Sequence, residues 1–266
     1  MKFLAQEGLL PGTTYLEKFK QARECGLDGV ELSFGKPPWL DGRVDDLNKA
    51  VDAVGIYPLI LCSGYRGWIG DFDETMRQIA ISDISKTMSF MPQLGCTGII
   101  APAAYGMYSN RLPSTKKART SQEDQDILVD SISRIAEAAE KNSVNFLLEP
   151  LNRYEDHMLN TIEQCAVILD KVGSSRCFAM ADCFHMSIEE ADIAATIKKY
   201  AKYIRHIHLA DSNRIQPGKG HTDFMSIFEA LKEIVYSDTL SYECGFIGDN
   251  RIEDIKESLS YLKTNL

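Results

Sequence analysis

The sequence predicts a (β/α)8 TIM barrel, with residues 1–266 forming a single domain. Three observations predict it. A chain of 266 residues suits one such barrel. Short apolar runs alternate with amphipathic stretches of helical period eight times, with no linker between them; buried strands separated by helices pair in parallel through right-handed crossovers. Carboxylates and imidazoles stand at the ends of the later strands, the rim where this architecture places its chemistry. The alternative is an open doubly wound sheet, but no G-x-G-x-x-G follows the first strand.

The elements follow in order. Lys2 to Gly8 opens as a strand and breaks at Gly8 and Pro11-Gly12. Tyr15 to Cys25 carries Leu16, Phe19 and Ala22 on one helical face. Gly29 to Phe34 is the second strand, with Glu31 inside it as a structural hydrogen-bonding group. Asp45 to Val54 is helical and stops at Gly55. Tyr57 to Cys62 is the third strand, Glu74 to Leu94 a long helix ending at Gly95, and Thr97 to Ala101 the fourth strand. The long connection from Pro102 to Ser121 carries Tyr105, Tyr108, Arg111, Lys116, Lys117 and Arg119, and connections of that length are usually functional or disordered. Its basic run reads as a solvated loop or as a reader of a substrate phosphate; Trp68, Tyr105 and Tyr108 are candidates for an apolar wall over a ligand.

Gln122 to Lys141 is a strongly amphipathic helix, and Asn145 to Glu149 the fifth strand. Thr161 to Val172 is helical, with Asn160 expected as its N-cap. Cys177 to Asp182 and Ile204 to Leu209 are strands six and seven, separated by a helix over Ala191 to Tyr203. Asp223 to Val235 is a helix that Asp223 caps, and His221 before it is expected to pack. Leu240 to Glu243 is the eighth strand and Ile252 to Leu262 the closing helix.

Composition narrows the function. Hydrophobic residues are 44% and charged residues 25%, as in ordinary globular chains. A formal net charge of −9 argues against nucleic-acid binding, which needs a basic face to displace counterions. The seven scattered cysteines form no C-x-x-C pair and read as reduced thiols. No basic segment followed by an apolar one opens the chain, and no apolar run approaches the roughly 18 residues of a membrane span. A cytoplasmic protein without membrane contact is the expectation.

Four consecutive strand tips present Glu149, Asp182, His208 and Glu243. Three carboxylates and one imidazole suit a hard or borderline divalent cation such as Mn²⁺, Mg²⁺, Co²⁺ or Fe²⁺; a structural zinc site would carry cysteine and histidine. Each residue also has a plainer reading. A lone acid at a strand end is more often a helix cap or a solvated turn residue. His206 and His208 share one face of their strand, and the period does not choose between them. The four together are stronger, because burying them around one mouth is costly without a cation.

The motifs LLEPLNRYE, ADCFHM, IHLADSNR-x-x-PGKG and YEC, all between Leu147 and Gly245, resemble the xylose-isomerase-like (β/α)8 superfamily. Within it they are most similar to the ketose 3-epimerases, the D-tagatose and D-psicose (allulose) 3-epimerase group. The resemblance implies a sugar epimerase that inverts C3 of a ketose through an enediolate. It implies Glu149, Asp182, His208 and Glu243 as ligands of a divalent ion, Mn²⁺ first, with Co²⁺ or Mg²⁺ as alternatives. Glu149 and Glu243 would be the acid/base pair, and Glu155, His185 and Arg214 would contact substrate. It also implies a homo-oligomer, a dimer or tetramer. The chain departs from the group where its first strand reads FLAQEG without an aromatic, where YECGF lacks a proline, and in the loop after strand four. The alternative is an isomerase or dehydratase acting on a keto-sugar or keto-inositol with the same metal site. An endonuclease of the superfamily would need more histidines and a basic face, and a non-enzymatic sugar binder would not need both glutamates.

Overall fold

The computed structural model describes residues 1–34, 37, 42–108 and 119–264. Eight strands form a closed barrel in sequence order, every neighbouring pair parallel. They are β1 (Lys2–Gln6), β2 (Gly29–Phe34), β3 (Pro58–Ser63), β4 (Gly98–Pro102), β5 (Asn145–Glu149), β6 (Cys177–Asp182), β7 (Ile204–Leu209) and β8 (Thr239–Tyr242). The helices are α1 (Tyr15–Glu24), α2 (Arg43–Val54), α3 (Glu74–Leu94), α4 (Ser121–Asn142), α5 (Ile162–Val172), α6 (Cys183–Glu189), α7 (Ile193–Lys199), α8 (Phe224–Glu233) and α9 (Arg251–Thr264).

Two helical expectations are corrected. The helix expected over Ala191 to Tyr203 is present but shorter, the seven-residue α7, and an unexpected α6 precedes it directly after β6. Such short helices carry too few turns for a periodic signal. The cap of α5 is Thr161 rather than Asn160. Thr161 accepts from the Gln164 amide while Gln164 accepts from the Thr161 amide, a reciprocal capping box. Asn160 instead donates its side chain to the carbonyls of Leu151 and Asp156.

Strand alternation decides what lies inside. Leu4, Ile60, Ile100, Leu147 and Met180 form a compact apolar layer within the barrel. The large apolar cluster, including Phe19, Leu47, Ile84, Ile132 and Phe228, lies between strands and helices. The interior layer is tight. A Cβ on Gly98 would fall 2.8 Å from the Leu147 side chain, so only glycine fits beside it. Two residues further along each strand, the same inward face reaches Gln6, Cys62, Pro102, Glu149 and Asp182 at the carboxyl rim. No helix among the described residues is long and apolar enough to cross a membrane.

Candidate active site

Strands β5 to β8 bring Glu149, Asp182, His208 and Glu243 together, with one donor atom from each lying within 4.8 Å of the others. Nδ1 of His208 is 3.1 Å from Glu243 Oε2, 3.6 Å from Asp182 Oδ2 and 3.8 Å from Glu149 Oε1. Its other nitrogen, Nε2, lies 3.1 Å from both oxygens of Glu31. A carboxylate only accepts, so the Nε2 proton points at Glu31, and Nδ1 is the nitrogen that faces the cluster. A carboxylate behind a histidine in this way orients it as a ligand.

His206, which alternation could not separate from His208, belongs to the support. Its Nε2 is 2.9 Å from Glu31 Oε2 and its Nδ1 2.7 Å from the Thr239 hydroxyl. Burial lowers its pKa against the opposing pull of Glu31, so the neutral ring donates to Glu31 and accepts from Thr239. Glu31, fully buried, thus joins both histidines, as a structural role predicts.

The cluster's electrostatics call for positive charge. Burial and the Glu243 carboxylate push Glu149 well above the usual carboxylate range, with His208 opposing. Burial would lower His208, but Glu31 and Glu243 outweigh it and drive the imidazole well above its ordinary value. Asp182 divides its two oxygens. Oδ1 accepts from the amides of Phe184 and His185 at 2.7 and 3.2 Å and caps α6. Oδ2 is buried without a hydrogen-bond partner, and it faces His208. An orphaned carboxylate oxygen beside two further acids and a histidine fits a divalent cation of the hard or borderline class.

The three expected substrate contacts converge on the same mouth. His185 accepts the Asn152 amide at Nδ1, 3.1 Å away. Nε2 therefore carries the proton; it is buried without a partner, 3.9 Å from Asp182 Oδ2. Glu155 Oε1 accepts from Arg214 Nη1 at 3.1 Å and from the Asn152 side chain at 3.2 Å. Arg214 Nη2 reaches to 3.6 Å of Glu243 Oε2, and its guanidinium lies over the Phe184 ring. Arg214 has φ 58°, a left-handed backbone uncommon for a residue with a side chain. Its carbonyl accepts from the Gly245 amide, which ties the loop after β7 to the loop after β8.

Other expectations resolve differently. Arg153, within the LLEPLNRYE motif, makes a bidentate pair with Glu189 of α6, both contacts at 2.9 Å. His221 is exposed rather than packed; the loop that carries it closes instead through Asp211, whose carboxylate accepts from the amides of Ser212, Gly218 and Thr222. Arg119 is engaged by Asp124 and by the carbonyls of Gly70 and Asp71, which removes it as a phosphate reader. Arg111, Lys116 and Lys117 lie outside the described residues. Trp68 packs edge-on against Tyr65 and Tyr105, whereas Tyr108 packs on Phe72 and His157, apart from that chain of rings.

Two rim residues escaped the sequence reading. Gln6 donates from Nε2 to Glu31 Oε1 at 2.9 Å and to Glu243 Oε1 at 2.6 Å. The Cys62 thiol approaches Glu31 and Glu243 and is pushed well above the usual thiol range by burial and by those carboxylates. Their one sequence signal was inward alternation from Leu4 and Ile60.

Comparison with known proteins agrees with this geometry. The chain is 33% identical over 249 residues to the 3-dehydro-D-guloside 4-epimerase of Escherichia coli, spanning 94% of each chain. It is 30% identical over 225 residues to the L-ribulose 3-epimerase of Mesorhizobium japonicum, spanning 83% of this chain and 72% of that one. The crystal structure of a 3-keto-D-glucoside 4-epimerase from E. coli superposes with a TM-score of 0.92 at 32% identity, covering 99% of both chains. The family described as xylose isomerase-like TIM barrel matches residues 19–265, and this chain belongs to it.

Proposed function

We propose that the protein is a divalent-metal-dependent epimerase of a keto-sugar that inverts the carbon next to the carbonyl. The observation that carries this reading is the convergence of Glu149 and Glu243 on one cluster with Asp182 and His208. Inverting a carbon next to a carbonyl needs a proton removed from one face and another delivered to the opposite face. Two carboxylates from non-adjacent strands of one rim suit that exchange, one as base and the other as acid. A divalent cation held by Glu149, Asp182, His208 and Glu243 would supply Lewis-acid stabilisation of the negative charge that develops on the substrate oxygens. The Nε2–H of His185 donates to that oxygen charge, and Arg214, gripped by Glu155 and Phe184, orients a neighbouring hydroxyl.

The first substrate reading is a free ketose inverted at C3. A second, a 3-keto-glycoside inverted at C4, requires the same proton chemistry one carbon along. It is favoured by the match to the E. coli 4-epimerase over 94% of both chains and by a first strand, FLAQEG, that lacks the aromatic of the ketose 3-epimerases. Mn²⁺ as the metal, and a dimer or tetramer as the assembly, carry over from the family resemblance. The deciding experiment is solvent deuterium uptake from D-psicose, D-fructose and methyl 3-keto-D-glucoside. Label at C3 with inversion assigns a ketose 3-epimerase, and label at C4 of the keto-glucoside assigns a 4-epimerase. Label at C1 or loss of water assigns an isomerase or dehydratase instead, and no uptake from any of the three sinks the reading.

A further inference from the structure

The two carboxylates placed in proton transfer are held differently. Glu149 lies at the end of β5, and its contact with the imidazole of His208 is a loose 3.8 Å. Glu243 lies one residue past β8, where its amide makes only a long 3.4 Å contact with the Leu209 carbonyl of β7, and is 21% exposed at its side chain. Its Oε1 is nevertheless held by Gln6 at 2.6 Å. The same amide nitrogen donates at 2.9 Å to Glu31 Oε1. Both neighbours are carboxylates and accept only, so the NH₂ end of the amide must face them, and its two protons serve two partners. Glu31 is itself immobile, held by His206 and His208, with His206 tied to Thr239 of β8. A hydrogen-bonded chain therefore runs from Thr239 of β8 through the buried His206 and Glu31 to the half-buried Gln6, and back to the carboxylate of Glu243.

We propose that Gln6 is the positioning residue of Glu243, and that it makes the two proton-transferring carboxylates unequal by fixing one of them from outside the ligand set. The proposal rests on the two-glutamate reading above and adds a residue to it. Gln6 is not one of the four candidate ligands; it donates to one of them, Glu243, and acts through it. Holding the carboxylate by Oε1 leaves Oε2, the oxygen nearest His208 and Arg214, directed at the cluster. Misplacement of a reacting group by about 1 Å costs on the order of a hundredfold in rate.

The test uses Gln6→Met, which keeps side-chain length and removes both N–H donors, and Gln6→Glu, which presents oxygen where the two carboxylates need a donor. Both are made in the full chain and loaded with Mn²⁺. Wild type and variants are incubated in deuterium oxide from either side of the epimer pair, D-psicose with D-fructose or methyl 3-keto-D-glucoside with its C4 epimer. The ratio of label in recovered substrate to label in product is measured. With Glu243 misplaced, the intermediate formed by Glu149 waits for its proton and returns to the face it left. The ratio should therefore rise several-fold starting from one epimer and fall from the other, while kcat falls at least tenfold and KM moves less. Mn²⁺ titration without substrate is the second readout; loss of support behind a ligand weakens metal binding by about 10–100-fold. A ratio that moves in the same direction from both epimers, or unchanged Mn²⁺ affinity, overturns the role of Gln6. Failure of wild type to exchange either pair would sink the epimerase reading instead, while the Mn²⁺ titration still reads on Gln6.

Discussion

Glu149 and Glu243 have the same side chain in different settings, one almost buried at a strand end and the other past the end of its strand. Replacing either by glutamine keeps the shape and removes the proton acceptor. E149Q and E243Q are each expected to fold and to lower kcat by about 10²–10⁴-fold, read by initial rates beside a thermal melt; substantial activity in both would end the two-carboxylate mechanism. Arg214 gives a different test. Its positive φ costs a residue bearing a Cβ about 1–2 kcal/mol. R214A removes the guanidinium and keeps that strain, whereas R214G removes both. Glycine at 214 should therefore be more stable than alanine by about 1 kcal/mol in urea unfolding, the reverse of their usual order, with both variants impaired in turnover. If alanine proves the more stable, the loop relaxes when the side chain leaves.

At the scale of the elements, the loop after β7 shows how a site is held without regular structure. One carboxylate, Asp211, gathers three amides of that loop, and a Cβ on Gly220 would fall 2.3 Å from its Oδ1. Burial works against the Asp211 charge, but the amides of Thr222, Ser212 and Gly220 prevail and lower its pKa below the ordinary 3.8. A depressed carboxylate stabilises the native state above its unfolded pKa, and that stability is lost as the pH falls through the folded value. D211N forfeits it, because an amide NH₂ would face the Gly218 amide, donor against donor. Losing such a bond costs about 1–3 kcal/mol, and the gap between D211N and wild type should be full near pH 7 and shrink on acidification below about pH 4. A gap independent of pH would show that the loop does not depend on that charge. The elements also show what a single sequence conceals. Strands β5 and β6 were legible to the residue, because apolar runs ended in a charge. Helix α6 was not, because its seven residues give no period and its cap, Asp182, had been read only as a ligand.

For the molecule as a whole, the barrel could be read from the alternation of apolar runs and helices, and the four convergent side chains from the charges at successive strand tips. Gln6 and Cys62 were missed for the same reason: a neutral side chain at a strand tip gives no cue until the closed ring sets β1 and β3 on either side of β2, and β1 beside β8. The cluster they border predicts a link between cation binding and global stability. A ligand that binds only the native state adds about 2.7 kcal/mol at a hundredfold excess over its dissociation constant. For a chain of this size that is a rise in Tm of about 5–10 °C. Dialysis against EDTA should lower Tm by that amount and abolish turnover, with Mn²⁺ or Co²⁺ restoring both; full activity after chelation and dialysis would remove the metal from the reading.

Asp182 constrains how such a site can be redesigned. One oxygen starts α6, the helix that carries His185, and the other faces the cluster. A substitution chosen to change cation preference at this position would also unfasten that helix and displace His185. Glu149 starts no helix, and Glu243 is steadied by a side chain from the far end of the sequence. Because both glutamates also move protons, variants selected for a different metal should accumulate at Gln6, behind Glu243, and leave Asp182 untouched.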